Sequence, residues 1–156
     1  RVRSWLDIAA LPRARQERVL PFIRQWVEPG AHASTAELFR GFSQIAALRD
    51  AAVAACQPFD FVLSPVAPLA SFPAEHAMPT NDPARAMEHI AFTLPYNMSE
   101  QPAVCVPCAH AADGAPIGLQ IAGRRHDDLG VLRLARAWEQ LRPAEALRPW
   151  PEPSAA

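Results

Sequence analysis

Proline constrains this chain more than any other residue type, because it divides the sequence into short segments. The sequence holds 17 prolines among 156 residues, about twice the usual share of roughly 5%. Proline lacks a backbone N–H and fixes φ, so it interrupts helices and is confined to the edges and ends of sheets. We therefore expect short secondary-structure elements, several of which end at a proline.

Three short apolar segments predict buried strands. Residues 59–64 form a β-leaning run closed by Pro65, and residues 103–106 and 117–123 have the same character. Runs of this length, bounded by turn-forming residues, are typical of strands rather than helices. An Asp-Gly turn within residues 112–115 would let the second and third strands pair as a hairpin with a long loop.

Helices are predicted before the first strand and between the strands. Residues 13–27 have helical periodicity with Pro21 inside, which predicts a kink or two short helices. A capping box of Ser34 and Glu37 predicts that a long helix begins there and continues to residue 56. A buried stripe is expected along this long helix, formed by Leu38, Phe42, Ile45, Ala46 and Val53.

Two more helices complete an α/β layer. Asp82 and Pro83 suit the start of a helix that would end near residues 95–97. The apolar spacing in residues 127–141 predicts the last helix, with aspartates at its N-terminus and Pro143 after it. The residues after it, 143–156, are proline-rich and predicted to be extended.

Composition excludes several function classes. All 15 basic residues are arginine, which excludes a lysine Schiff base, a Walker-type phosphate loop and a Ser–Lys pair on this chain. A formal net charge of −1 and the lack of a basic stripe argue against nucleic-acid binding. The sequence contains no run of 18 apolar residues, so we expect no membrane-spanning helix. Three cysteines are too few for a secreted disulfide framework and favour the cytoplasm.

The residues alone give no complete catalytic constellation. Cys105 and Cys108 form a C-x-x-C pair, which is a redox motif or half of a zinc site in other contexts. Here the first cysteine lies inside a predicted strand, which favours packing over chemistry. The histidines are scattered, and neither Ser64 nor Ser99 lies in a G-x-S-x-G turn. We therefore expect no catalytic residue, metal or cofactor on this chain.

Four blocks, in the right order and spacing, resemble the amidase signature family. Residues 59–68 resemble its strand and loop "fDvlltPt-x-P", and residues 92–108 its block "FT-x-P-x-N-x-(S/T)-G-x-P-A-x-(S/T)-V-P-x-G". Residues 113–123 are similar to its strand "dGlPvGlQlvG", and residues 127–141 to its following helix. The resemblance implies the C-terminal third of the amidase signature fold, part of a mixed β-sheet core covered by helices.

The chain departs from the family pattern at two turns. Glu100 stands where the family usually has glycine, and Ala109 and His110 replace the usual glycine after the second cysteine. Glycine at such positions allows a positive φ, so the local turn geometry is a test of the resemblance.

The resemblance implies an activity whose catalytic residues this sequence lacks. The family hydrolyses carbon–nitrogen (amide) bonds by serine acyl transfer with a Ser–cis-Ser–Lys triad. This sequence has no Gly/Ser-rich signature and no lysine, so the isolated chain is predicted to be inactive. The resemblance assigns it a supporting role instead, with Phe92, Tyr96 and Asn97 on the wall that faces a small-molecule amide substrate. Asn97 has a second interpretation, which is to pin the backbone before Gln101.

The same resemblance leaves the branch of the family open. The A-subunit of a glutamine-dependent tRNA amidotransferase tends to carry an acidic residue just before the "FT" block. Here His89, Ile90 and Ala91 precede Phe92, which favours a general amidase over that alternative.

We predict one amidase-type portion over residues 1–156, helical in 1–57, built of sheet and helices in 58–142, and extended in the tail 143–156. Because the sequence starts without methionine, we expect a missing N-terminal part as partner. An exposed apolar face should also favour a homo-oligomer. Two alternatives are a non-catalytic scaffold or interaction module derived from this fold, and a C-x-x-C metal or redox protein.

Overall fold

A three-stranded antiparallel sheet lies at the centre of the structure, a computed structural model that describes residues 1–142. The strands are β1 (Phe61–Pro65), β2 (Ala103–His110) and β3 (Pro116–Gly123), in the spatial order β1-β3-β2. All three predicted strands are confirmed with shifted bounds, and so is the hairpin of β2 and β3. The predicted extended tail lies outside the described residues.

Helices precede and follow this sheet. The two short helices predicted around Pro21 are confirmed, and a 3-10 turn, Glu28–His32, follows them. The capping box is also confirmed, since Ser34 accepts a hydrogen bond from the Glu37 backbone and the Glu37 carboxylate accepts one from the Ser34 backbone. The first helix lies within the region 1–57 that is predicted to be helical, although its bounds are not predicted from the sequence. The helices are α1 (Val2–Ala9), α2 (Arg13–Gln16), α3 (Pro21–Val27), α4 (Thr35–Cys56), α5 (Leu94–Ser99) and α6 (Asp128–Leu141).

The prediction of a buried stripe along α4 is wrong. None of Leu38, Phe42, Ile45, Ala46 and Val53 is buried, and Phe39 and Phe42 are 73% and 67% exposed. The physical reason is that α4 packs mainly against the short α5, which is too small to cover a helix of 22 residues. Phe39 and Phe42 therefore form an exposed apolar face of α4 in this chain.

The prediction of one helix from Asp82 to residues 95–97 is also wrong. The Asp82 carboxylate accepts a hydrogen bond from the Ala84 backbone at 2.9 Å and forms only a turn. A 3-10 turn, Glu88–Ile90, follows, and α5 begins at Leu94. Pro95 lies in the first turn of α5, where a proline is favoured because its missing N–H costs nothing there. Pro95 thus starts a helix, although the sequence pattern predicts that it ends one.

The core lies between the sheet and α6. Ile121 at the centre of β3 packs with Val106 of β2 and Ala135 of α6, as the amphipathic spacing of the last helix predicts. The α6 N-terminus is capped by Asp127, whose carboxylate accepts a hydrogen bond from the Gly130 backbone at 3.0 Å. Leu141, the last residue of the predicted apolar face, is exposed. This core fixes the sheet against which α4 and α5 form the site described below.

Within residues 1–142 no helix combines the length and the apolar character that crossing a bilayer requires.

Candidate functional site

An apolar groove lies between α4, β1 and α5. Its volume is about 650 Å³, which falls in the range of small-molecule pockets. Small side chains on α4, among them Ala52 and Ala55, leave the space, while Leu63 of β1 and Tyr96 of α5 line other sides. The groove can therefore accept an apolar group and offers little polar surface to bind a charge.

Tyr96 is the predicted site residue that the structure brings into this groove. Burial raises the pKa of its hydroxyl group, and the nearby Cys56 thiol adds to the shift when ionised. The hydroxyl therefore stays protonated at neutral pH, and Tyr96 presents a ring and a neutral hydrogen-bonding group. Because Tyr96 is the single tyrosine of the chain, its ionisation can be followed directly by absorbance.

Phe92 lies outside the groove lining, but its backbone is fixed to the sheet. Gln120 of β3 is buried and donates hydrogen bonds from Nε2 to the Phe92 carbonyl at 2.9 Å and to Ser64 Oγ at 3.0 Å. Ser64 in turn donates to the Pro65 carbonyl at 3.1 Å. Ser64 is thus part of a structural network, and neither of these two hydrogen-bond partners is a base that could activate it as a nucleophile. Gln120 was not predicted as a site residue, although a lone polar residue in an apolar strand is a usable signal.

Asn97 is exposed on α5, and the backbone beyond it is held by other side chains. Ser99 Oγ donates to Gln101 Oε1 at 2.9 Å, and Gln101 Nε2 donates to the Gly123 carbonyl at 2.9 Å. Both Ser99 and Gln101 are buried, so these bonds satisfy polar groups that water cannot reach. Gln101 therefore fixes this backbone, and the pinning role suggested for Asn97 stays a prediction from the sequence.

Glu100 keeps the backbone conformation that glycine usually provides at this turn. Its φ is 60° and its ψ is 27°, in the left-handed region at the end of α5. That conformation costs an L-residue about 1–2 kcal/mol. The carboxylate of Glu100 lies 2.7 Å from the Arg49 guanidinium and also pairs with Arg125. Two ion pairs therefore accompany the strained turn.

The second departure from the family pattern coincides with an irregularity in the pairing of β2 with β3. The register of β2 against β3 shifts between Pro107 and Ala109, where the family usually has glycine. Cys108 lies at this irregularity and Cys105 lies before it, paired with Gln120, and both are free thiols. Desolvation raises the pKa of the Cys105 thiol, which lowers its reactive thiolate fraction.

No group of three or more His, Cys, Asp or Glu side chains within residues 1–142 is arranged to hold a metal ion.

Comparison with known proteins identifies the family. The family model described as Amidase matches residues 6–132, which is most of the chain. The chain belongs to the amidase family, and its turn at Glu100 and hairpin of β2 and β3 fit the blocks by which the sequence resembles it.

Relatives come from two branches of this family. The chain is 35% identical over 95 residues to the glutamyl-tRNA(Gln) amidotransferase A-subunit of Thermodesulfovibrio yellowstonii, covering 61% of this chain and 19% of that protein. It is 42% identical over 89 residues to an acylamidase of Rhodococcus erythropolis, covering 54% of this chain and 19% of the relative.

A solved structure supports the same fold over nearly the whole chain. The glutamyl-tRNA(Gln) amidotransferase A-subunit from Thermotoga maritima superposes with a TM-score of 0.64 and 26% identity, covering 99% of this chain and 35% of that one. The chain thus spans about a third of the length of this solved relative. Its alignments cover about a fifth of the length of the Thermodesulfovibrio yellowstonii and Rhodococcus erythropolis proteins.

Proposed function

We propose that this chain forms one wall of the substrate channel of an amide hydrolase that acts by serine acyl transfer. The observation that carries the proposal is the groove beside α5, in which Tyr96 faces small apolar side chains of α4. A groove of this kind suits the apolar part of an amide substrate and leaves the reacting bond to groups outside it. The Ser–Ser–Lys residues must come from polypeptide outside this sequence, which holds no lysine.

Within this proposal the three predicted site residues have different roles. Tyr96 supplies the apolar wall itself, and Phe92 supports it from a backbone that Gln120 holds against the sheet. Asn97 is exposed on the same short helix, α5, and is proposed to contact the polar end of the substrate.

The partner we propose is the part of an amidase that carries the catalytic residues. The exposed apolar face of α4, with Phe39 and Phe42 at its most exposed positions, is the surface on which that part would pack. Residues 1–142 would then behave as a single unit with the tail 143–156 attached. A homo-oligomer and a cytoplasmic location remain predictions from the sequence.

A second candidate function is that of the A-subunit of a tRNA-dependent amidotransferase. The relatives from Thermodesulfovibrio yellowstonii and Thermotoga maritima that bear this name favour it. Against it, the three residues directly before Phe92 are His89, Ile90 and Ala91, and none of them is the acidic residue that this branch tends to carry there. We therefore propose the general amidase as the first candidate.

The wall role is testable in a chimera in which this chain replaces the matched segment of the Rhodococcus erythropolis acylamidase. Tyr96→Ala should raise the KM for an aromatic amide about tenfold, because removing an aromatic contact weakens binding by roughly 1–3 kcal/mol. The KM for a small aliphatic amide should change little. Steady-state kinetics on both substrates measures the difference.

Tyr96→Phe is the matched control for that experiment. It keeps the ring and removes only the hydroxyl group, so the KM for the aromatic amide should stay close to that of the parent chimera. An unchanged KM in Tyr96→Ala, or equal effects of both substitutions, would contradict an apolar wall at this position.

A further inference from the structure

Glu100 joins three elements that meet at the end of α5. Its carboxylate pairs with Arg49 of α4 at 2.7 Å through one oxygen and with Arg125, beyond β3, through the other. Arg49 also donates from Nε to the Met98 carbonyl at 3.2 Å. One carboxylate therefore links α4, the last turn of α5 and the segment that follows the central strand.

The position of Arg49 connects this cluster to the groove. Arg49 follows Leu48 and precedes Ala52 on α4, and both of these line the groove that Tyr96 closes from α5. Two of the elements that line the groove, α4 and α5, are thus tied together at Glu100. Near them, the buried Gln101 ties the same turn to the Gly123 carbonyl.

We propose that Glu100, with Arg49 and Arg125, is an ionic clamp that sets the width of the groove and positions Tyr96. The left-handed turn at Glu100 supports this, since a glutamate holds that conformation only when its surroundings over-determine it. Surface ion pairs contribute little singly but more as a network with shared partners. Glu100 is in this view a positioning residue, and its meaning for catalysis rests on the proposed function.

The clamp can be tested on the chain itself, without any activity assay. Two readouts are used: hydrogen exchange of the backbone amides of α5 and the absorbance titration of Tyr96 over the pH range in which circular dichroism stays native. Glu100→Gln should speed exchange about five- to tenfold, because it removes the charge while keeping the side-chain shape. It should also move the Tyr96 titration towards its ordinary range, since the groove admits more water.

Arg49→Met removes one of the two ion pairs of Glu100 and should change both readouts in the same direction. The double variant should add little to Glu100→Gln, because the ion pair with Arg49 is already lost in that variant. Glu88→Gln is the matched control, since Glu88 forms an exposed ion pair with Arg85, three residues before it in the chain. It should leave both readouts unchanged. Unchanged readouts in Glu100→Gln, or additive effects in the double variant, would overturn the clamp.

Glu100→Gly separates a clamp from simple compensation of backbone strain. Glycine accepts the left-handed turn freely, so Glu100→Gly removes the backbone strain together with the ion pairs. If the ion pairs only compensate that strain, hydrogen exchange of α5 should stay at the rate of the unmodified chain. The clamp predicts faster exchange in this variant as well, and exchange at the unmodified rate would overturn it. Because no readout involves amide hydrolysis, failure of the clamp and failure of the proposed function are distinguishable.

Discussion

The chain by itself is expected to leave an aromatic amide intact, with hydrolysis at the rate of buffer alone. Enzymes accelerate such reactions by about 10⁶-fold or more, so the expected loss relative to a complete amidase is of that order. The reason is chemical, because the acyl-transfer mechanism of the family needs a lysine and the sequence contains none. In addition, Ser64 accepts a hydrogen bond from Gln120 and its hydroxyl donates to a backbone carbonyl.

The Rhodococcus erythropolis acylamidase, assayed beside the chain at equal molar concentration, is the positive control. Release of the aromatic amine from the substrate is followed by absorbance over many hours. Turnover that follows the chain through two different columns would contradict the prediction, because it would place a reactive centre on these 156 residues.

The substitution with the largest expected effect on stability is Ile121→Ala. Ile121 is 1% exposed on the central strand, opposite Leu63 of β1 and Val104 of β2. Truncating a fully buried isoleucine costs about 2–5 kcal/mol, through lost apolar burial and the cavity left behind. A domain of this size is stable by only about 5–15 kcal/mol. Urea denaturation followed by circular dichroism should therefore show a much lower midpoint.

Ile117→Ala is the matched control on the same strand. Ile117 is 43% exposed, so the same truncation removes atoms that water already reaches. The free energy of unfolding of the Ile117→Ala variant should differ from that of the unmodified chain by less than about 1 kcal/mol. Equal losses in the two variants would show that the sheet is not packed around Ile121 as described.

The sheet could be predicted from the sequence because its determinants are local. Pro65 closes the first strand, and the Asp-Gly turn allows β2 and β3 to pair. The capping box at Ser34 likewise needs only four residues to be recognised. Patterns of this kind carry their own physical reason and need no knowledge of the rest of the fold.

The failed predictions concern features that depend on distant parts of the fold. Amphipathic spacing marks Phe42 as a residue that needs a partner surface, but it does not place that surface on the same chain. The effect of Pro95 depends on whether a helix arrives from upstream or begins there. For the site, Tyr96 was found through the resemblance, whereas Gln101 and Gln120 act through bonds to remote backbone groups.

The central claim, that this chain supplies a wall of an amide hydrolase, is tested most directly by turnover in the chimera with the Rhodococcus erythropolis acylamidase. The relative provides the catalytic residues, and this chain provides the segment that is 42% identical over 89 residues. We expect hydrolysis of the aromatic amide well above that of either part alone. A chimera that is folded and monodisperse, yet no faster than its separate parts, would contradict the claim.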